Sequence, residues 1–266
     1  MLCFRIRDQV TPYGICKIVP PPEWQPPCQV DLDSPMRFPT KKQQIDTLTQ
    51  GQGFDDGKMY NIREYKAMAE AFYQSWCAQH HPAAAEETAT GTGKRVTQEA
   101  LAKDYWDIVE TNSRAVAVEY GNDLDTVKFT SGFPRNGHFA IPMIPKVKEA
   151  TESVFDEKFY ASTGWNLNNI ATSKGSLLQY LRTPINGINV PWLYVGMLFA
   201  SFCWHNEDNY FYSISYNHFG ATKQWYGVPG DSAAQFEKVS LPMGIVHVLL
   251  QYISTDIGAD AVLVYV

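Results

Sequence analysis

Between Ser201 and Gly230 the sequence reads SFCWHNEDNYFYSISYNHFGATKQWYGVPG, an aromatic-rich stretch holding a histidine and an acid two residues apart. Positions two apart on a β-strand project to the same face, so His205 and Glu207 would present an imidazole and a carboxylate side by side. Those are two-thirds of the facial triad that holds Fe(II) and leaves positions open for a co-substrate and oxygen. The competing reading is a buried histidine satisfied by its neighbours. On the same parity Phe202 faces away from His205, whereas Ser213 and Ser215 share its face. A hairpin folding about Phe219, in YNHFGATK, sets Lys223 across from Ser215 and Trp225 across from Ser213. An ammonium directed into an aromatic pocket needs an anionic partner. A dicarboxylate chelating the metal at one end would supply that partner at its other end; a plain surface lysine on a hairpin is the alternative.

Several kinds of element must position these groups. From Pro191 onward, short apolar runs (WLYVGMLFASFCWH, YFYSISY, KQWYGV) alternate with turn residues, the pattern of consecutive short strands in an antiparallel barrel or jelly roll. Upstream, AVAVEYG and VKFTSGF also have strand character. Residues 61–80 place Ile62, Tyr65, Met68, Ala69, Phe72 and Trp76 at helical spacing, which predicts an amphipathic helix. TQEALAKDYWDIVE, from Thr97 to Glu110, opens on a threonine cap and predicts a second. Between them, PAAAEETATGTGKR is low in complexity and reads as a surface loop. Residues 11–40 are dense in proline, which fixes φ and removes a backbone donor, so that stretch is extended. Ile15, Ile18, Val19 and Trp24 make it too apolar for a solvated linker, and we expect an arm docked over another surface.

Composition bounds the function. The 266 residues are 45% hydrophobic and 14% aromatic, the signature of a globular chain. A net charge of −6 argues against a nucleic-acid binder working through a broad basic surface, and suits basic peptides as partners. Five scattered cysteines, Cys3, Cys16, Cys28, Cys77 and Cys203, form no C-x-x-C pair and read as reduced intracellular thiols. No apolar run is long enough for a membrane span.

The block from Pro191 to Pro229 resembles the catalytic core of Jumonji-C (JmjC) proteins, specifically the JARID-type histone H3 lysine-four demethylases. GWNLNN at Gly164–Asn169, SGFP at Ser131–Pro134 and GICKIVPPPEWQPP at Gly14–Pro27 match the same family, the last within its Jumonji-N (JmjN) segment. The resemblance implies an α+β fold: an incomplete double-stranded β-helix (jelly-roll, cupin-like) with a JmjN arm and flanking helices. It divides the chain into a partial JmjN-like segment at 1–50, a helical connector at 51–118 with the low-complexity loop 82–95, and a JmjC domain at 119–266 lacking its C-terminal part. It implies His205 and Glu207 as iron ligands, and Lys223 with Tyr120 on the distal carboxylate of 2-oxoglutarate. Phe202, Ser213, Ser215 and Trp225 line the co-substrate site, and Tyr194 lies beside the methylated ammonium. The implied function is Fe(II)- and 2-oxoglutarate-dependent removal of methyl groups from histone H3 in the nucleus, within chromatin complexes.

Three departures accompany the resemblance. Ser215 stands where the family usually has asparagine, and a serine offers no amide N–H. No third iron ligand is evident: His218 lies in the hairpin turn, and His247 sits in LPMGIVHVLLQY, which reads as an apolar helix with a core histidine. The family's ARID insert, PHD fingers and zinc module have no counterpart, so no direct DNA-binding module is expected and the chain reads as a slice of a larger protein. The alternative function is therefore a non-catalytic chromatin-associated fragment lacking the third ligand. A protein hydroxylase using the same cofactors is a third reading.

Overall fold

The computed structural model describes residues 2–48, 54–84, 96–112, 114–135, 154–240, 248–251 and 262–265. In chain order its elements are α1 (Leu2–Val10), β1 (Ile15–Ile18), β2 (Phe38–Gln44), β3 (Asp55–Tyr60), α2 (Ile62–His80), α3 (Gln98–Thr111), β4 (Ala117–Asp125), α4 (Thr126–Phe129), α5 (Val154–Ser162), α6 (Leu167–Ile170), β5 (Trp192–Val195), β6 (Ala200–Cys203), β7 (Ile214–Tyr216), α7 (Gly230–Ser240), β8 (Val248–Gln251) and β9 (Val262–Tyr265).

Both expected helices form, and local chemistry fixes their starts. Asn61 caps α2 in a reciprocal box with Glu64: the Glu64 N–H donates to Asn61 Oδ1 at 2.8 Å, and the Asn61 N–H to Glu64 Oε2 at 3.2 Å. The Thr97 hydroxyl accepts from the Ala100 N–H at α3, which ends at Asn112 in the left-handed region, φ 49°. The two helices bury Tyr65, Ala69, Tyr73, Trp76, Leu101, Tyr105 and Ile108, with Ile62, Met68 and Phe72 partly buried against them. Asp104 ties the pair together, accepting from Trp76 Nε1 at 2.7 Å and lying 2.6 Å from His81 Nε2. The low-complexity loop expected at 82–95 lies, from residue 85 onward, outside the described residues.

The architecture is mixed α+β with antiparallel pairing between the named strands, of the jelly-roll kind. A four-stranded sheet runs β3-β2-β4-β5, a three-stranded one β1-β9-β7, and β6 pairs with β8. The four-stranded sheet draws strands from all three expected sequence segments, and β4 spans residue 118. Its inner face, through Phe38, Val118, Tyr120 and Leu124, meets the helices and the buried Met197–Ala200 turn. The Gln43 side chain extends this sheet toward β6: its Nε2 donates to the Ser201 carbonyl and its Oε1 accepts from the Ser201 N–H, both at 2.8 Å in full burial. Gly121 sits where a side chain would meet the Phe38 ring at 2.9 Å, which lets β4 lie tightly against β2.

The proline-rich stretch is docked. β1 pairs with β9, the Gln29 N–H donates to the Gly132 carbonyl, and Trp24 packs edge-on against Tyr160 at 5.0 Å. The Tyr160 hydroxyl accepts from the Gln25 N–H and donates to the Glu23 carbonyl.

Three local expectations are corrected. VKFTSGF does not form a strand, because the Asp125 carboxylate caps Val127 N–H and starts α4, and the chain then turns through Gly132 at φ 77°. KQWYGV carries only an isolated bridge at Lys223 rather than a strand. Within LPMGIVHVLLQY, residues 248–251 form a strand and not a helix, because β6 supplies a ladder partner, with Cys203 opposite Val248. His247 itself lies outside the described residues. No helix among the described residues is long and apolar enough to cross a membrane.

Candidate metal centre

β6 brings the chain to the candidate ligands and stops just short of them. Its last residue is Cys203, and His205 and Glu207 lie in the extended link to a 3-10 turn at Asp208–Tyr210. The two side chains lie side by side as expected, but in the chain that follows the strand rather than in the strand itself, and a local hydrogen bond positions the imidazole. His205 Nδ1 lies 2.7 Å from the Cys203 carbonyl, which can only accept, so Nδ1 carries the proton and Nε2 presents its lone pair outward. Nε2 lies 3.6 Å from Glu207 Oε1. The carboxylate beside it raises the His205 pKa above the ordinary histidine value, against burial, with the Cys203 carbonyl and the charge of Asp123 adding to the rise. Glu207 is held below the usual carboxylate range by His205 and by a hydrogen bond from Ser213.

The donor chemistry of this pair fits a divalent metal: a neutral imidazole nitrogen and an ionised carboxylate oxygen, both partly open to solvent. Among the described residues no group of three His, Cys, Asp or Glu side chains gathers around one point. His218 is accounted for elsewhere. Its Nε2–H donates to the Ser131 carbonyl at 2.8 Å, its ring packs on Phe133 and Tyr216, and burial pushes its pKa down to about 4. A Cβ at Gly132 would lie 2.3 Å from that ring nitrogen. It is a core histidine.

An aromatic cluster is built in part on β6, the strand that leads to the pair. Phe202 stands at its centre, edge-on to Tyr120 (5.3 Å) and Tyr194 (5.2 Å) and stacked on Trp225 (6.0 Å). The Lys223 ammonium lies 5.3 Å from the Phe202 centroid and 5.4 Å from that of Tyr194. It makes no ion pair among the described residues, and burial lowers its pKa from 10.5 to about 8. Phe202 therefore faces the lysine, where strand parity had only placed it away from His205. Ser215, Lys223 and Trp225 line a cavity of about 340 Å³ together with Ile15, Cys16 and Lys17 of β1. That volume lies within the roughly 300–1,000 Å³ of small-molecule sites. The described partner of β7 is β9, with Ser215 opposite Leu263.

Sequence reasoning missed two contributors to this site. The arm forms one wall of the cavity, which local patterning does not reveal because the contact joins residues far apart in the chain. Asp123 accepts a hydrogen bond from the Tyr194 hydroxyl at 2.9 Å, and a β-bulge that no sequence signal marks turns it toward the site.

The chain is similar to known proteins. Residues 192–257 match the family model described as JmjC domain, hydroxylase. The chain is 44% identical over 187 residues to lysine-specific demethylase JMJ17 of Arabidopsis thaliana, covering 70% of this chain and 14% of that protein. It is 35% identical over 268 residues to lysine-specific demethylase JMJ703 of Oryza sativa subsp. japonica, covering 87% and 20%. Lysine-specific demethylase 5B of Gallus gallus is 39% identical over 189 residues, covering 70% and 11%. The chain thus spans about a fifth or less of the length of these relatives. It carries a JmjC domain of the cupin-like jelly-roll type and is a homologue of lysine-specific demethylases over most of its own length.

Proposed function

We propose that the chain is an Fe(II)- and 2-oxoglutarate-dependent dioxygenase that demethylates methyl-lysine on the histone H3 tail, at lysine four as its resemblance implies. The observation that carries this reading is an imidazole and a carboxylate 3.6 Å apart, in the segment that follows β6, together with a Lys223 ammonium set among aromatic rings and without an ion-pair partner among the described residues. Such an ammonium is stabilised by an incoming carboxylate. The relatives' names, lysine-specific demethylases, support the same reaction class. The reading also takes residues 1–50 as a JmjN-type segment, 119–266 as the JmjC domain, and the nucleus and chromatin complexes as the setting.

His205 and Glu207 would hold the iron, and Lys223 with Tyr120 would receive the distal carboxylate of 2-oxoglutarate. When bound together, iron and 2-oxoglutarate supply the oxygen activation that oxidises an N-methyl group, released as formaldehyde with succinate and carbon dioxide as co-products. The chain's own residues do the rest. The Cys203 carbonyl holds the His205 tautomer, and Ser213 holds the Glu207 carboxylate. Phe202 and Trp225 exclude water beside Lys223, which stays cationic at neutral pH to pair with the anion. Ser215, shorter than an asparagine, would reach the co-substrate through a water. Tyr194 would offer its ring and oxygen to the methylated ammonium.

A second reading, a non-catalytic chromatin module, is favoured by one observation: no third ligand joins His205 and Glu207 among the described residues. Formaldehyde release from H3 peptides, trimethylated or unmethylated at lysine four, separates the two. Iron- and 2-oxoglutarate-dependent release from the trimethylated peptide alone, lost in E207A, supports the dioxygenase. Binding of the peptide without formaldehyde supports the module.

A further inference from the structure

The edge of β4 beside the site is irregular. Gly121 pairs with Val195 and Leu124 with Leu193, so three steps on β4 span two on β5 and one extra residue bulges out. Asp123 occupies this bulge in the left-handed region at φ 52°, a conformation that residues with a Cβ seldom adopt. Its side chain is exposed, and both carboxylate oxygens are used. Oδ1 accepts from the Tyr194 hydroxyl at 2.9 Å, and Oδ2 from the Asn122 amide at 2.9 Å.

Tyr194 is therefore held at both ends. Its ring stacks on Tyr120 at 6.1 Å and meets Phe202 edge-on, while its hydroxyl is tethered to a negative charge. A phenol that donates to a carboxylate gains electron density on its oxygen and ring, which strengthens the attraction of both for a cation. Asp123 thus sits at the solvent side of the one tyrosine that the demethylase reading places beside the substrate cation.

We infer that Asp123 is a specificity-determining residue that holds Tyr194 in place and makes this rim of the site select a quaternary or alkylated ammonium over a neutral group of the same shape. The inference rests on the demethylase reading for the identity of the natural substrate, but its physical content is a cation preference that exists without turnover.

The test uses the full chain, without iron or 2-oxoglutarate, and two isosteric probes: choline, and its neutral analogue 3,3-dimethylbutanol. Binding is read by calorimetry and by intrinsic tyrosine and tryptophan fluorescence. The wild-type chain should prefer choline. D123N, which keeps an acceptor for Tyr194 but removes the charge, should weaken choline binding about three- to tenfold and leave the alcohol unchanged. D123E should restore the preference. D231N, the same change of net charge on the first turn of α7, should have no effect. Equal binding of the two probes to the wild-type chain, no binding of either, or choline binding unaltered in D123N overturns the inference. If the preference follows Asp123 but methyl-lysine peptides release no formaldehyde, the demethylase reading fails and this one stands.

Discussion

Among single residues, Lys223 carries the strongest energetic statement. Burial beside the rings of Phe202 and Tyr194 favours its neutral form and brings its pKa from 10.5 to about 8. For a lysine depressed in this way the folded state holds fewer protons than the unfolded one between those two values. Stability of the ligand-free chain therefore rises with pH across that window, and the penalty of the buried charge is fully present below about 8. On the proposed reading dicarboxylate binding should have the opposite slope, because it needs the ammonium and so weakens as pH rises through about 8. Urea denaturation and 2-oxoglutarate calorimetry from about pH 7 to 10 check the two signs. K223M should leave the ligand-free chain as stable or up to about 1–2 kcal/mol more so, while lowering 2-oxoglutarate affinity at least tenfold. Much of this site was legible in the sequence, because His205, Glu207 and Lys223 are chemically conspicuous residue types in an aromatic setting. Asp123 was not legible, because its orientation comes from a bulge in β4 and an ordinary Asn-Asp pair gives no signal of it.

The elements explain why β6 delivers the candidate ligands where it does. β6 is four residues long, and its link to the main sheet is the side chain of Gln43, which imitates a strand partner for Ser201. Q43A would leave the Ser201 N–H and carbonyl buried without these partners, and should cost about 2–4 kcal/mol in chemical denaturation. It should also lower iron affinity by loosening the chain that leads to His205. β4 is fastened by Glu119, which accepts from the Thr40 hydroxyl, the Lys58 N–H and the Tyr60 hydroxyl. Burial alone would raise the Glu119 pKa, but these three donors prevail and lower it below 4.5. The stabilisation is accordingly present above about 4.5 and lost as pH falls below it. E119Q should cost about 1–2 kcal/mol at neutral pH and flatten the acid limb of the stability profile. The helices were readable because caps and apolar spacing are local. The strand at 248–251 was not, because a short apolar run fits either helix or strand until its partner is known, and that partner is β6.

For the whole molecule, one wall of the cavity beside Lys223 comes from the N-terminal arm, which reaches it through a strand of the three-stranded sheet. The sequence announced an arm through its prolines and its apolar residues, yet not its destination, since pairing of β1 with β9 joins opposite ends of the chain. A ligand seated in this cavity holds the arm and the Lys223 segment together. Saturating 2-oxoglutarate at about a hundred times its Kd should therefore stabilise the folded chain by about 2.7 kcal/mol. C16E places a negative charge on the arm's wall of the cavity and should remove most of that stabilisation, read as a lost ligand-induced shift in Tm. The net charge of −6 suits a basic peptide approaching the site, and salt should weaken that encounter. Whether His205 and Glu207 together present a metal site to a dicarboxylate held by Lys223 is decided by anaerobic titration of Fe(II) into the chain with 2-oxoglutarate, followed by visible absorption. The expected result is a weak charge-transfer band that saturates with iron, disappears in E207A and requires far more 2-oxoglutarate in K223M. No band at saturating iron and 2-oxoglutarate, or a band indifferent to both substitutions, would contradict that assignment.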